Sequence, residues 1–400
     1  MRSEDAGPAQ SVNQDSVAAR VLDLKDLRVH FETYKGTVRA LDGVTLDIRT
    51  GEILGLVGET GCGKTVTALS LLRLLNTPPA RILSGQALFD GKDLLSLPPR
   101  EMNAVRGNRI AIVFQEAMSS LNPVMTVGDQ VAESILLHQR ESVCDAVEAR
   151  LVEGPALSLW GVSRRRIFGW AAKRYRVQPR SLLFRVLERV PILRRWDTPL
   201  REEALRRTKE VFEKVRLPEP EAALKKFPHE MSGGMQQRVA IGMALSCNPD
   251  LLILDEPTTA LDVTIEAQIL QLIKGLQADF GMSVLLITHD LGIVAQTCDR
   301  VAVMYAGNVV EVANVFDLFR RPLHPYTVAL LQAIVAPENL DDLHAIEGSV
   351  PDLIRPPTGC RFHPRCPHAM DVCRAVKPPT TEPFPGRTVA CYLFPEDENH

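Results

Sequence analysis

Thirteen consecutive residues, Ile53-Leu54-Gly55-Leu56-Val57-Gly58-Glu59-Thr60-Gly61-Cys62-Gly63-Lys64-Thr65, join an apolar run to a glycine-rich turn that ends in a lysine and a hydroxyl. The apolar run reads as a buried strand, and 66–75 reads as a helix beyond the turn. The spacing G-x-x-x-x-G-K-T is that of a phosphate loop. Gly58, Gly61 and Gly63 let the backbone curl until its N–H groups converge on phosphate oxygens. The helix beyond adds the positive end of its dipole. Lys64 can reach the β- and γ-phosphates, and Thr65 can offer its hydroxyl to Mg²⁺. The bland alternative is a chance glycine-rich strand-to-helix turn, and the strand, the helix and the full motif together weigh against it. Cys62 stands where small residues are common, either by size tolerance or as an accessible thiol. By itself the motif specifies a nucleotide phosphate and not what its hydrolysis drives.

Two further groups could act on the same phosphate. The run 251–254 is apolar and ends in Asp255-Glu256. Asp255 would hold Mg²⁺, usually through water, and Glu256 could take a proton from an attacking water. The alternative is a strand followed by a solvated acidic turn. Thr288-His289-Asp290 ends another apolar run and brings a histidine to the same edge. A different chemistry is offered by Cys360, Cys366, Cys373 and Cys391, spaced C-x5-C-x6-C-x17-C. Four thiolates can hold a structural zinc ion or a [4Fe–4S] cluster, and the spacing matches neither common local signature. His363 and His368 keep zinc open, and unliganded thiols remain a third reading.

The elements that must place these groups follow from periodicity. Between 21 and 48, apolar residues alternate, which predicts two or three strands with turns at Lys35-Gly36 and Asp42-Gly43. Strands are expected at 86–89 and 109–114, the second closed by Gln115, and a helix at 127–138. Helices at 203–215, 239–245 and 265–279 then alternate with strands at 251–254 and 283–288, before a strand pair at 300–305 and 308–312. Such alternation implies an α/β fold with a mostly parallel sheet. Residues 1–19 are polar, lack an apolar signal core and read as disordered, and no run of 18 apolar residues suggests a membrane span. A 400-residue chain with 45% hydrophobic and 24% charged residues suits a globular protein of roughly two or three domain-sized units. The net charge of −3 argues against a general nucleic-acid binder.

Taken in order, the phosphate loop, Gln115, Ser232-Gly233-Gly234, Asp255-Glu256, Ala260-Leu261-Asp262 and His289 resemble the ATP-binding cassette (ABC) ATPases, over roughly 21–325. The resemblance implies a P-loop nucleotide-binding domain over 20–325, with a RecA-like core, an antiparallel β subdomain and a helical subdomain. A small cysteine- and proline-rich domain would follow over 326–400. Gly58, Glu59, Thr60, Gly61, Cys62, Gly63, Lys64, Thr65 and Val66 would then surround the nucleotide as the Walker A loop. Thr65, Gln115 and Asp255 would attend Mg²⁺, and Gln115 would also sense a membrane subunit. Glu256 would be the general base, His289 the switch histidine on the γ-phosphate, and Asp262 the D-loop aspartate. Ser232, Gly233, Gly234, Met235 and Gln236 would form the signature that completes the site of an opposing subunit. Phe31, 33 residues before Lys64, is the candidate for stacking on adenine; Tyr34 is the alternative, and Phe31 as a plain core aromatic is a third reading.

The signature has Met231 where leucine is usual and Met235 where glutamine is usual. This Ser-Gly-Gly-Met form is similar to the dipeptide and oligopeptide importer branch, as are the stretches 114–123, 227–230, 322–327 and 359–367. That branch implies a heterodimer with a homologous second ATPase and two integral membrane permease subunits. It also implies, indirectly, an external substrate-binding protein and a place on the cytoplasmic face of the cell membrane. It favours [4Fe–4S] over zinc at the four cysteines, and peptides over nickel or oligosaccharides as cargo. A soluble cassette protein acting on ribosomes or DNA would usually carry two cassettes, and only one phosphate loop and one signature appear. A decayed, regulatory ATPase is opposed by the intact Lys64, Asp255, Glu256 and His289. One segment departs from the branch. Over about 143–203 lies an insertion in which eleven Arg and Lys residues between Trp160 and Leu200 face only Glu188 and Asp197, with Trp160, Trp170 and Trp196 among them. It could rest on the inner membrane surface or pack as a solvated basic face.

Overall fold

The computed structural model of the protein describes residues 19–115, 120–153, 198–259, 261–333 and 348–395. The expected disorder of 1–18 and the centre of the basic insertion, with all three tryptophans, lie outside the described residues.

The chain opens with a hairpin of β1 (Arg20–Thr33) and β2 (Gly36–Arg49), paired antiparallel from Arg20↔Arg49 to Thr33↔Gly36. Leu22, Leu24, Leu27 and Val29 are buried, and this alternation fixes the register. The turn at Lys35-Gly36 is where the sequence puts it. Asp42-Gly43 is not a turn: Gly43, at φ 84°, lies inside β2 where pairing jumps from Leu27↔Val44 to Arg28↔Asp42. A bulge asks for the same left-handed backbone as a turn, so the residues alone do not separate the two. After β3 (Ile53–Val57), β4 (Ala80–Phe89) and β5 (Lys92–Asp93) complete a four-stranded sheet in the order β2-β1-β4-β5.

The larger sheet is built on β3. With β6 (Ile110–Val113), β7 (Leu251–Asp255), β8 (Ser283–Ile287) and β9 (Arg300–Tyr305) it forms a parallel array in the order β9-β3-β8-β7-β6. β10 (Asn308–Asn314), β11 (Thr381–Phe384) and β12 (Arg387–Val389) extend it antiparallel at the β9 edge. β3, β7 and β8 are buried at every position, which is why they read as unbroken apolar runs.

Helices cover this sheet. They are α1 (Lys64–Leu71), α2 (Pro99–Val105), α3 (Val127–His138), α4 (Arg140–Glu153), α5 (Thr198–Lys214), α6 (Pro220–Ala223), α7 (Gly233–Leu245), α8 (Val263–Phe280), α9 (Leu291–Thr297), α10 (Val315–Arg320), α11 (Pro325–Gln332) and α12 (Asp371–Ala375). Alternate strand residues feed two cores. Leu54, Leu56, Leu251 and Ile253 meet α1 and the first sheet, whereas Ile53, Val57, Leu252 and Leu254 meet α3, α5, α7 and α8. Among the described residues no helix is long and apolar enough to cross a membrane.

The insertion's two ends are part of the core. Val143, Cys144 and Val147 of α4 and Leu200 of α5 are buried, and the buried Glu203 takes Arg150 of α4 at 2.8 Å with Arg206 and Arg207 of its own helix. A buried carboxylate needs such partners. The tail is equally tied in. Tyr326, fully buried on α11, packs on Tyr305 and Phe362 with ring centroids 4.6 and 5.5 Å away. Arg361 donates to the carbonyls of Arg39 and Ala306, and Lys377 donates to that of Asp42. The described residues beyond 326 therefore pack on the central sheet and dock on the first one.

Candidate active site

Parallel neighbouring strands present their C-terminal ends on one edge of the sheet, where open α/β folds bind ligands. Gly58 follows β3 there, Gln115 follows β6, Asp255 ends β7, and Thr288 and His289 follow β8.

The phosphate loop is packed tightly enough to explain its glycines. A Cβ on Gly58 (φ 150°) would lie 2.1 Å from the Met304 carbonyl oxygen, and one on Gly63 (φ 108°) 2.6 Å from a Leu41 methyl. Lys64 is buried, and its ammonium donates to the carbonyls of Gly58 at 2.7 Å and Glu59 at 3.3 Å. Thr60, Gly61 and Thr65 are exposed at the mouth of the loop, and Val66 is half-buried. Cys62 is 1% exposed, and burial pushes its thiol up, so it fits the loop by size and is no accessible thiolate. The Thr65 hydroxyl donates to Asp255 Oδ1 at 3.2 Å. Burial raises the Asp255 carboxyl above its ordinary value, and the Thr65 hydrogen bond works against that rise. Two oxygen ligands suited to Mg²⁺ thus stand side by side.

Glu256 is the hub of the second half. Its Oε2 accepts from Gln115 Nε2 at 2.9 Å and from the Thr259 hydroxyl at 3.1 Å, and its Oε1 lies 3.1 Å from His289 Nδ1. Its backbone is left-handed, at φ 48°, and its N–H donates to the Ile287 carbonyl at 2.9 Å. Such a conformation is uncommon in a non-glycine residue and is found where surroundings fix a side chain for use. Gln115, Glu256 and His289 are therefore brought together as expected. Thr259 was not anticipated as a partner. Its place three residues past Glu256, on a tight turn, is the only signal it carries.

The signature sits on the N-terminus of α7. Ser232 caps the helix by accepting from the Met235 N–H at 3.4 Å, and Ser232 and Gly233 are exposed. Gly234 leaves no room for a side chain, since a Cβ would come 2.7 Å from Ile265 of α8. Met235 is half-buried. Gln236 turns its side chain inward, where its amide donates to the carbonyls of Pro228 at 2.7 Å and Met231 at 3.2 Å and holds the signature turn. Asp262 caps α8 by accepting from Ile265 at 2.9 Å. Phe31 packs half-buried on the core, whereas Tyr34 is 94% exposed at the hairpin tip.

The tail supplies contacts to the phosphate loop that the sequence did not announce. The Glu59 N–H donates to the Tyr326 hydroxyl at 3.0 Å, and Arg365 reaches the Glu59 carboxylate at 2.9 Å. Burial opposes the Arg365 charge, but the hydrogen bonds that it donates to Glu59 and Tyr305 outweigh it and raise its pKa. Beside this contact, Cys360, Cys366, Cys373 and Cys391 line one small cavity with His363 and His368, without a disulfide. Burial pushes the Cys360, Cys366 and Cys391 thiols up, the last to about 11, and neighbouring cysteines push the same way. Among the described residues no group of three or more His, Cys, Asp or Glu is placed to hold a metal ion.

A phosphate loop on a parallel sheet, a carboxylate pair at the neighbouring strand end and a helix-capping signature define the class of P-loop ATPases with an ABC fold. Known structures agree. A dimeric ATP-binding cassette described as a post-hydrolysis state bound to ADP and Pi aligns with a TM-score of 0.50 at 24% identity, over 74% of this chain and 98% of that one. The ABC transporter family matches residues 41–259, and the oligopeptide/dipeptide transporter C-terminal region matches 310–373. The dipeptide transport ATP-binding protein DppD of Bacillus subtilis is 41% identical, over 95% of this chain and 97% of its own. The oligopeptide transport ATP-binding protein OppD of Salmonella typhimurium is 40% identical, over 93% of each chain. The chain belongs to the ABC transporter family, as an ATPase of its oligopeptide and dipeptide branch.

Proposed function

We propose that the protein is the energy-coupling subunit of a peptide importer, working on the cytoplasmic face of the cell membrane. The observation that carries this reading is the exposed signature of Ser232 and Gly233, a second anion cradle at a helix start, facing away from its own core and suited to a partner's nucleotide. Two ATPase subunits would close on ATP held between the phosphate loop of one and the signature of the other. We infer a homologous, non-identical partner, two membrane permeases that receive the closure, and an external binding protein that selects cargo. The basic insertion, whose centre lies outside the described residues, would either meet the inner membrane surface or pack as a solvated basic face.

Within the site, the backbone N–H groups of Gly61 to Thr65 and the Lys64 ammonium would bind and orient the phosphates. Thr65 and Asp255, with Gln115, would hold Mg²⁺, which supplies neutralisation of phosphate charge when bound. Glu256 would accept the proton of the attacking water, and His289 would support charge at the γ-phosphate. Phe31 or Tyr34 would face the adenine, and Asp262 would hold the D-loop. The four tail cysteines would hold a [4Fe–4S] cluster. Support for it is the donor set, four thiols lining one small cavity.

Loss of this subunit should abolish uptake of a labelled tripeptide, and Lys64→Ala should fail to restore it. Intact peptide uptake with lost nickel or oligosaccharide uptake would overturn the cargo assignment. Broad visible absorption of anaerobically purified protein is expected for the cluster, and a colourless zinc protein would reject it.

A further inference from the structure

We propose that Arg365, carried by the cysteine-rich tail, is a positioning residue of the phosphate loop, holding and neutralising Glu59 so that the loop can accept a polyphosphate. The proposal presupposes that ATP binds at Gly58 to Thr65.

Glu59 is the one acidic side chain between Gly58 and Thr65, in a loop whose other groups gather negative charge. A carboxylate there opposes the incoming phosphates unless it is paired. The tail pairs it. Between Cys360 and Cys366 the chain makes a tight turn, in which the His363 N–H donates to the Cys360 carbonyl at 3.0 Å and the Arg365 N–H to that of Phe362 at 2.9 Å. Phe362, 1% exposed, is wedged against Tyr305 and Tyr326 at 5.1 and 5.5 Å, which sets the turn against the loop. From this seat Arg365 Nη1 lies 2.9 Å from Glu59 Oε2 and Nη2 3.3 Å from Oε1, a two-pronged grip on the carboxylate. Nη1 also donates to the Tyr305 hydroxyl at 3.3 Å. The Arg365 side chain is 6% exposed and that of Glu59 26%, so solvent screens the pair only in part.

The grip is one of three on the same short segment. Tyr326 takes the Glu59 N–H, and Lys64 takes the carbonyls of Gly58 and Glu59. With the first two residues of the loop fixed, the later N–H groups are left to face the phosphates, apart from that of Cys62, which donates to the Glu59 carbonyl at 3.2 Å. Arg365 touches no reacting atom. Its removal therefore weakens ATP binding and leaves the chemical step alone.

The test uses the full-length protein assembled with its permeases for kinetics, and the full-length subunit alone for ATP binding at low and high salt. Arg365→Gln should raise KM for ATP about tenfold while kcat stays within about twofold, a loss that shrinks as salt screens the bared carboxylate. Glu59→Gln should bind ATP at least as tightly as the unaltered protein. Combining the two should bring KM back towards the unaltered value, a rescue that a packing role of Arg365 in the tail does not predict. A double variant as impaired as Arg365→Gln would overturn the proposal, as would normal ATP binding by Arg365→Gln. If Arg365→Gln does not fold, Glu59→Gln decides by its sign, because weaker ATP binding there would show that the loop needs the carboxylate itself.

Discussion

Glu256→Gln tests the assignment of the general base with little disturbance to the fold. The amide oxygen can take the place of Oε2 and keep both donors, Gln115 Nε2 at 2.9 Å and the Thr259 hydroxyl at 3.1 Å. The amide NH2 then faces His289 Nδ1, now 3.1 Å from Oε1, and the imidazole accepts that bond by carrying its proton on Nε2. All three contacts survive in kind, so the loss of stability should stay below about 1 kcal/mol. In a chain of this size that moves Tm by less than about 4 °C. Turnover answers to another quantity. A general base contributes roughly 10² to 10⁴ in rate, or about 3 to 5 kcal/mol of barrier. Differential scanning calorimetry gives the first number, and phosphate release by the assembled transporter gives the second. ATP binding should persist, visible as nucleotide retained on the protein. Turnover near that of the unaltered protein, with Tm unchanged, would refute the role of Glu256. A large fall in Tm would instead refute the exchange of contacts just described.

Gly234→Ala should force α7 from α8, because its Cβ would stand 2.7 Å from Ile265; a loss of about 1–3 kcal/mol in stability is expected from overpacking of this kind, relieved by Ile265→Ala, and an unchanged Tm would show the helices free to part. Burial holds Asp255 above its ordinary pKa in the folded chain, so folding favours its protonated form and stability falls as pH rises through that raised value. Affinity for Mg²⁺·ATP should run the other way, weakening as pH falls through the raised Asp255 value, more steeply than in Asp255→Asn. Parallel curves for the two proteins, measured by titration calorimetry, would remove Asp255 from the metal site.

What the sequence made legible, and what it did not, follows from how each feature is encoded. β3, β7 and β8 are buried on both faces, so each is written as an apolar run, and the groups that do chemistry sit at the strand ends where those runs stop. Local order therefore revealed Lys64, Gln115, Asp255, Glu256 and His289. Asp42-Gly43 was ambiguous because a bulge and a turn demand the same backbone. Gln236 could not be oriented, since capping a turn and contacting a phosphate both suit an amide. Arg365 and Glu59 were out of reach for a different reason: 306 residues separate them, and neither shares a period with the other. The tail that carries Arg365 is brought back to the sheet by β12, which pairs with β10 at Glu311↔Val389 and Val312↔Thr388. That pairing has a mechanical consequence. β10 hydrogen-bonds β9, β9 hydrogen-bonds β3, and β3 runs into the phosphate loop, so the same sheet carries both ends of the Arg365–Glu59 pair. Phe362 ties the arginine's turn to that sheet through its packing on Tyr305 of β9.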